Sequence, residues 1–367
     1  MKKIVILMPF HWSAIQGGAE YQARLICQHL VASERFDVHW LSRRIAPDYD
    51  AQGYTTHQIA LHQGLRAKAF FFDHRLLSLL LEKLQPDVIY QRVGCAYTGI
   101  AARHARRHGS RMIWHVASEM DVTPFSTKSW RPSSLLKFID KRYLEYGLRH
   151  ASDIVVQTHD QDRLLGDHYG RQATALIRNP HPVPTENIDK SGPPTVLWIA
   201  NLKPLKQPDV FIRLASACLD LTGVRFVMVG EPLNDGDQQR AFESTLQAIP
   251  NLAYLGKLSI DAVNALLASS HLIVNTSRVE GFSNTFIQAW LRQVPVLSLQ
   301  VDPDKLLEQE RLGFCASGSE PDLLNAVRTW LTDDLLREQC GKRAQAYAEQ
   351  HHTERNIQAL IDLIEMK

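Results

Sequence analysis

A chain of 367 residues with 45% apolar and 22% charged residues has the length for two globular domains with full cores, and excludes a disordered or fibrous protein. A formal charge of only +2, without a recognised binding motif or aromatic–basic interleaving, gives no case for nucleic acid as a partner. No stretch of 18 uninterrupted apolar residues occurs, so no segment reads as a membrane span.

The charge is unevenly divided: residues 1–189 carry 24 Lys+Arg and 18 Asp+Glu, a balance of +6, and the remainder carries 17 and 21, a balance of −4. The cations concentrate in RHARRHGSR (Arg103–Arg111) and DKRYLEYGLRH (Asp140–His150). Such a field attracts phosphates or an anionic membrane surface, and a solvated helix face explains the same residues. Cys27, Cys95, Cys218, Cys315 and Cys340 form no CxxC pair and no metal-like spacing, so they read as reduced and mostly buried, in a cytoplasmic protein.

In chain order, MKKIVILMPF is too short an apolar run for a signal peptide, ends at Pro9 and His11, and reads as a first buried strand. Further strand-like runs follow at Val38–Leu41, Asp87–Arg92, Met112–Val116, Asp153–Thr158 and Ala175–Asn179. Segments of helical period such as Ala19–Leu30 and Phe72–Leu84 lie between them, the signature of βαβ units and a parallel sheet. The proline-rich stretch His181–Pro194 has no apolar period and reads as a linker. The alternation then restarts with Val196–Asn201, Arg225–Gly230, Leu252–Gly256, Leu272–Ser277, Pro295–Leu299 and Gly313–Ala316, and ends in a helical stretch from about Pro321. The expected fold is α/β, two Rossmann-like doubly wound parallel-sheet domains facing a central cleft: residues 1–185, a linker 186–194, residues 195–345, and a last helix 346–367 that could pack back on the first domain.

Ligands of such sheets bind beyond the carboxyl ends of the strands, where helix N-termini offer unpaired N–H groups. Four places fit. After the first strand, Gly17 and Gly18 precede a helix and permit close backbone approach to a phosphate or sugar; an ordinary tight turn reads equally, and no GxGxxG is present. In WHVASEMD, His115 ends a strand, with Ser118, Glu119 and Asp121 close behind it. A satisfied core histidine is the alternative to a site lining a cleft. In IANLKPLKQPD, Lys203 and Lys206 lie on a Pro-containing loop ahead of a helix and suit a departing diphosphate; a pair of surface lysines is the alternative. In SRVEGFSNTFIQAW, Ser283 is placed to cap a helix from Asn284 to Leu291, Glu280 precedes it, and Gln288 lies about one and a half turns in. The alternative there is a capped core helix.

These motifs together resemble the retaining glycosyltransferases of family 4, which have the GT-B fold and use nucleotide-sugar donors without a metal. Gly17-Gly18-Ala19-Glu20 is similar to the family's GG-x-E loop, His115 to its strand-end histidine, Ile199–Lys206 to its G-R-L-x-x-x-K loop, and Glu280–Pro295 to its EGF…EA…G-P-V block. The resemblance implies a donor site of Gly17, Gly18, Asn201, Lys203, Lys206, Glu280, Gly281, Phe282, Ser283, Asn284, Thr285 and Gln288. Lys206 would neutralise the leaving diphosphate. Glu280 would orient sugar hydroxyls with the amides of Gly281–Ser283, His115 would sit beside the transferred sugar, and Gln288 would bind ribose. Catalytic roles then fall to His115, Lys206 and Glu280, and Glu119 and Asp121 are candidates on the acceptor side. No metal site and no cofactor are expected, the nucleotide sugar being a substrate.

Two departures from the family pattern stand out. Asn201 takes the place of an arginine, and Lys203 substitutes only as a point charge without the bidentate fork. Gln288 takes the place of the second acid of a paired-glutamate motif and forgoes a charge-assisted bond to ribose. The function expected is hexosyl transfer with retention to a saccharide or lipid-linked acceptor, in cell-surface polysaccharide or glycolipid synthesis. The basic first half and AFFFDHRLLSLLL (Ala69–Leu81) fit peripheral contact with an anionic membrane, or else a core helix. A nucleotide-sugar epimerase of the same fold and an inactive nucleotide-sugar-binding homologue are the rivals. An oxidoreductase is disfavoured by the missing dinucleotide fingerprint.

Overall fold

The computed structural model describes residues 1–59, 62, 64–124, 132–233 and 235–366, with the backbone alone for 64, 65 and 132–134. The chain divides into two compact units, Met1–Pro180 with Arg355–Lys367, and His181–Glu354.

The first unit is built on a parallel sheet whose order, among the described residues, is β3-β2-β1-β4-β5-β6-β7. Its strands are β1 (Lys2–Leu7), β2 (Phe36–Ser42), β3 (Thr55–Gln58), β4 (Val88–Arg92), β5 (Arg111–His115), β6 (Asp153–Val156) and β7 (Ala175–Leu176). The helices are α1 (Gly18–Ala32), α2 (His74–Leu84), α3 (Ala96–His108), α4 (Glu119–Val122), α5 (Pro132–His150) and α6 (His159–Tyr169). β4, β5 and β6 are wholly or almost wholly buried, as expected of strands covered on both faces. β3 escapes the pattern reading because TTHQ is a polar run that pairs, among the described residues, with β2 alone at the sheet edge. In α2 the buried stripe is Leu77, Leu81 and Leu84, so AFFFDHRLLSLLL is chiefly a core helix that leaves Leu76 and Leu79 exposed.

The last helix, α14 (Arg355–Glu365), belongs to the first unit. Its spacing of Ile357, Leu360, Ile361 and Ile364 is that of one helix face, and these side chains join Ile4, Ile6, Ala23 and Ile26 in one core. Each such burial contributes about 1.5–3 kcal/mol. Lys2 Nζ and Arg111 Nη1 donate to carbonyls in its last turn, Ile364 at 2.9 Å and Leu363 at 2.6 Å, where cations satisfy orphan acceptors and the helix dipole.

The second unit holds a parallel sheet of order β10-β9-β8-β11-β12-β13 among the described residues. The strands are β8 (Thr195–Ile199), β9 (Arg225–Val229), β10 (Leu252–Tyr254), β11 (Leu272–Asn275), β12 (Val296–Ser298) and β13 (Gly313–Cys315). The helices are α7 (Pro208–Ala217), α8 (Gly236–Gln247), α9 (Ile260–Ala268), α10 (Asn284–Trp290), α11 (Leu306–Gln309), α12 (Glu320–Thr332) and α13 (Asp334–His351). The proline-rich stretch forms no helix or strand and is tied along this unit. The His181 N–H donates to His352 O at 2.9 Å, and Lys190 Nζ donates to Leu267 O at 2.9 Å and Ser270 O at 2.5 Å.

In both sheets the strand order reverses at one place, between β1 and β4 in the first unit and between β8 and β11 in the second. Loops leaving the carboxyl ends of neighbouring strands diverge at such a reversal and open a crevice there. The loops that leave β8 and β11 are those carrying Lys206 and Glu280.

Candidate functional site

The second unit's site is built where these two loops meet. Past β8 the chain turns tightly, with Lys203 N–H donating to Asn201 O at 2.7 Å, and makes a short 3-10 turn over Pro204–Lys206. It then enters α7 through Gln207 at φ 46°, a left-handed conformation uncommon outside glycine, followed by Pro208 at the first helical position. Past β11, Thr276 fastens this loop: Thr276 Oγ1 donates to the carbonyls of Lys206 (2.6 Å) and Gln207 (3.0 Å) and accepts from Trp198 Nε1 at 2.8 Å. The Arg278 N–H adds a bond to Leu205 O at 3.0 Å.

With both backbones held, Lys206 Nζ forms an ion pair with Glu280 Oε1, and Ser277 Oγ donates to the same oxygen at 2.7 Å. The pair is partly exposed, at 22% and 16% of the two side chains, so it is open to solvent rather than sealed in the core. Both bonds fall on Oε1, and among the described residues Oε2 has no hydrogen-bond donor. The third wall is Gly230, where a Cβ would lie 1.9 Å from Ala200 O, so only glycine lets the end of β9 approach the loop after β8.

The remaining predicted residues are arranged less simply. Asn201 is half-buried and Lys203 exposed; Gly281 precedes Phe282, whose ring is buried against Trp290 and His352, so Phe282 offers main chain rather than side chain. Ser283 occupies the cap position of α10, but its hydroxyl lies 2.8 Å from Thr285 Oγ1 and does not cap the helix as expected. Asn284 Oδ1 lies 3.4 Å from His181 Nε2. Gln288, 8% exposed, donates from its side-chain Nε2 to Asn264 Oδ1 at 3.0 Å, and its main-chain carbonyl accepts from Arg292, itself paired with Glu186. Thr276, Ser277 and Asn264 were not singled out in the sequence. The polar run Asn275-Thr276-Ser277 ending an apolar strand was the available signal for the first two; nothing marks Asn264 inside its helix.

In the first unit the predicted residues sit at the carboxyl edge of the sheet. Gly17 is the cap residue of α1 and Gly18 its first residue; a Cβ at Gly17 would meet the Glu20 carboxylate at 2.3 Å. His115 is 1% exposed, with Nδ1 2.9 Å from Tyr90 Oη and 3.2 Å from Arg92 Nη1. A guanidinium can only donate, so Nδ1 is the acceptor and the proton resides on Nε2. Burial holds this imidazole well below its ordinary range, and the neighbouring Arg92 adds to the shift. The ring is therefore neutral and turned inward. Asp121 is also buried: its Oδ2 accepts the N–H groups of Ala117 (3.0 Å) and Ser118 (3.2 Å), closing a capping box on α4, which Glu119 begins. Val93, in the loop after β4, has φ 73°, strain for a β-branched residue beside the strand-order reversal. Among the described residues no group of three or more His, Cys, Asp or Glu is arranged to hold a metal, and no helix is long and apolar enough to cross a membrane.

The family model described as Glycosyltransferase Family 4 matches residues 16–187, and that described as Glycosyl transferases group 1 matches residues 193–333. The chain belongs to the family 4, or group 1, glycosyltransferases. Its fold is GT-B, the expected class, as solved structures of similar shape confirm. Sucrose-phosphate synthase from Thermosynechococcus elongatus superposes with a TM-score of 0.77 at 13% identity, covering 99% of this chain and 98% of that one. WaaG, a glycosyltransferase of lipopolysaccharide biosynthesis, gives 0.76 at 14% identity over 99% and 100% of the two chains. Anabaena HepE, solved with UDP-glucose, gives 0.74 at 18% identity over 99% of each. A comparison with curated proteins finds no match. In this glycosyltransferase the matched group 1 region contains the Lys206, Ser277 and Glu280 cluster, and the matched family 4 region contains Gly17, Gly18 and His115.

Proposed function

We propose that this glycosyltransferase moves a hexosyl group from a nucleoside-diphosphate sugar to a saccharide or lipid-linked acceptor, with retention and without a metal, and that Lys206 and Glu280 carry the donor chemistry. The observation behind the proposal is their convergence at the strand-order reversal, one cation and one carboxylate fixed by Thr276 and Ser277. A nucleoside diphosphate as donor is supported by Anabaena HepE, solved with UDP and glucose, and by a TarM mutant solved with UDP.

The leaving diphosphate gathers negative charge as the glycosidic bond breaks, and a preorganised ammonium group stabilises that charge more in the transition state than in the ground state. Lys206 supplies it. Glu280 Oε1 holds Lys206 in position while Oε2 accepts hydroxyls of the sugar. A covalent glycosyl intermediate requires a nucleophilic carboxylate on the sugar's other face; in the second unit Glu280 is the acid this cluster presents, and it is engaged by Lys206 and Ser277. We therefore favour a front-face path in which the departing phosphate oxygen takes the acceptor's proton. Gln288 serves ribose through its carbonyl oxygen, its amide nitrogen being held by Asn264. Cell-surface polysaccharide or glycolipid synthesis at the inner face of the membrane is the setting that such acceptors imply.

The test begins with thermal-shift measurements against UDP, GDP, ADP and their sugar conjugates, since a ligand that binds only the folded state raises its stability. Stabilisation by one nucleotide series, followed by transfer of its sugar in the presence of EDTA, supports the proposal. An EDTA-sensitive reaction would remove the metal-independent part, and absence of any nucleotide effect would remove the donor assignment.

A further inference from the structure

A second charged feature belongs to the first unit. Helices α3 and α5 cross backbone to backbone: a Cβ at Gly99 would come within 2.2 Å of Tyr143 O, and one at Gly147 within 2.5 Å of the Thr98 carbonyl. Along α3, Gly99, Arg103, Arg106 and Arg107 share one face by their spacing of four, seven and eight residues. The close crossing sets that face against Arg142, Tyr143 and Tyr146 of α5, and the seven residues line a cavity of about 570 Å³.

Four guanidinium groups thus surround one space with little to offset them. Arg142 pairs with Glu145 at 3.0 Å and Arg106 donates to Tyr146 Oη at 3.2 Å. Among the described residues, neither Arg103 nor Arg107 has a carboxylate within ion-pair distance. The helix dipole accounts for Arg106 and Arg107, which lie in the last turn of α3, but not for Arg103 or for Arg142 on another helix. The field is felt locally: His74 is held below its ordinary range by burial, with Arg103 and Arg107 contributing. α3 starts at the carboxyl end of β4 and runs back towards Arg111, where β5 begins, so its arginines lie towards the edge of the sheet opposite His115.

We propose that the α3–α5 groove is a phosphate-binding site distinct from the donor site. Planar guanidinium forks match phosphate oxygens bidentately, and the Tyr146 hydroxyl, which accepts from Arg106, keeps its own proton to donate. The phosphate comes either from a soluble phosphate ester or from an anionic lipid headgroup, and the two sources are separable by experiment.

The full chain, the Arg103→Ala/Arg107→Ala double variant and Lys206→Ala would be titrated calorimetrically with glycerol 3-phosphate. Each would also be floated with phosphatidylcholine vesicles with and without 30 mol% phosphatidylglycerol, a composition set on the order of an anionic leaflet. Binding that falls at least tenfold in the double variant, and is unchanged by Lys206→Ala, supports the site. If that difference appears with the soluble ester, the ligand is a free phosphate; if it appears with anionic vesicles alone, the ligand is a headgroup. Equal behaviour of wild type and double variant in both arms, with unfolding midpoints also equal, would overturn the proposal. Loss of binding in the Lys206→Ala variant alone would assign the signal to the donor site and overturn it too.

Discussion

Thr276 holds Lys206 by its main chain: one hydroxyl oxygen lies 2.6 Å from the Lys206 carbonyl and receives the Trp198 indole N–H at 2.8 Å. The Trp198 N–H, the Lys206 carbonyl and the Gln207 carbonyl, 3.0 Å away, therefore all depend on one Oγ1. Thr276→Val keeps the shape and removes the hydroxyl, leaving the Trp198 N–H and the Lys206 carbonyl without it, a cost of about 1–3 kcal/mol. The expected result is a lowered unfolding midpoint together with a drop in kcat as Lys206 loses its register, and near-complete recovery in Thr276→Ser. A Thr276→Val enzyme as stable and as active as wild type would mean that the two loops are held by something else.

Gln288→Glu is expected to keep nucleotide binding within about threefold. A carboxylate in place of the amide accepts from ribose more strongly, and Asn264, which now offers its Oδ1 to Gln288 Nε2, can turn its amide to donate instead. A tenfold loss of affinity in a direct titration would show that the donor half of the Gln288 amide is required.

Gly230→Ala should damage stability and site together. The added methyl would lie 1.9 Å from the Ala200 carbonyl, a backbone atom that cannot swing away, so the loop carrying Asn201 to Lys206 must shift. A destabilisation of about 1–3 kcal/mol is expected from such overpacking. Chemical denaturation measures it, and a change below 0.5 kcal/mol, about that of an ordinary surface substitution, would contradict the close approach.

Stability should fall on mild acidification. Burial pushes His181 down to about 4, with Arg292 acting in the same direction and Asn284 opposing. The unfolded imidazole takes up its proton near 6.5, whereas the folded one resists until about 4, so the stability is full above 6.5 and is lost as the pH falls through that window. At about 1.4 kcal/mol per pH unit the loss from this residue is on the order of 3 kcal/mol by pH 4. His11 and His104, both also lowered to about 4 by burial, add to the same slope. Urea midpoints between pH 4.5 and 7.5 should fall with acidity, less steeply in His181→Gln; a flat profile in wild type would show that these rings protonate freely.

The two sheets were legible because buried parallel strands are short apolar runs, and the loops that follow them are where polar residues interrupt the pattern. Lys206 and Glu280 could be named on that ground, although their 74-residue separation conceals that they touch; the strand order β8 beside β11 is what joins them. Side-chain direction was less legible. Ser283 has the residue type of a helix cap, yet Thr285 takes its hydroxyl, a competition between two local partners that spacing does not resolve. Phe282 and Gln288 both lie in the predicted donor block, and the first packs on His352, an aromatic neighbour 70 residues away. β3 was invisible because an edge strand with one partner needs no apolar alternation.

The most direct test of the account is the initial rate of sugar transfer by Lys206→Ala and Glu280→Ala, using the donor that the thermal-shift series selects. Loss of a preorganised charged group at the leaving phosphate is expected to lower kcat by about 10²–10³-fold in Lys206→Ala. Glu280→Ala should lose a comparable factor, because it removes both a sugar contact and the anchor of Lys206, while far-ultraviolet circular dichroism stays unchanged in both. Full transfer activity in both variants would contradict the assignment of this pair as the donor-side catalytic centre.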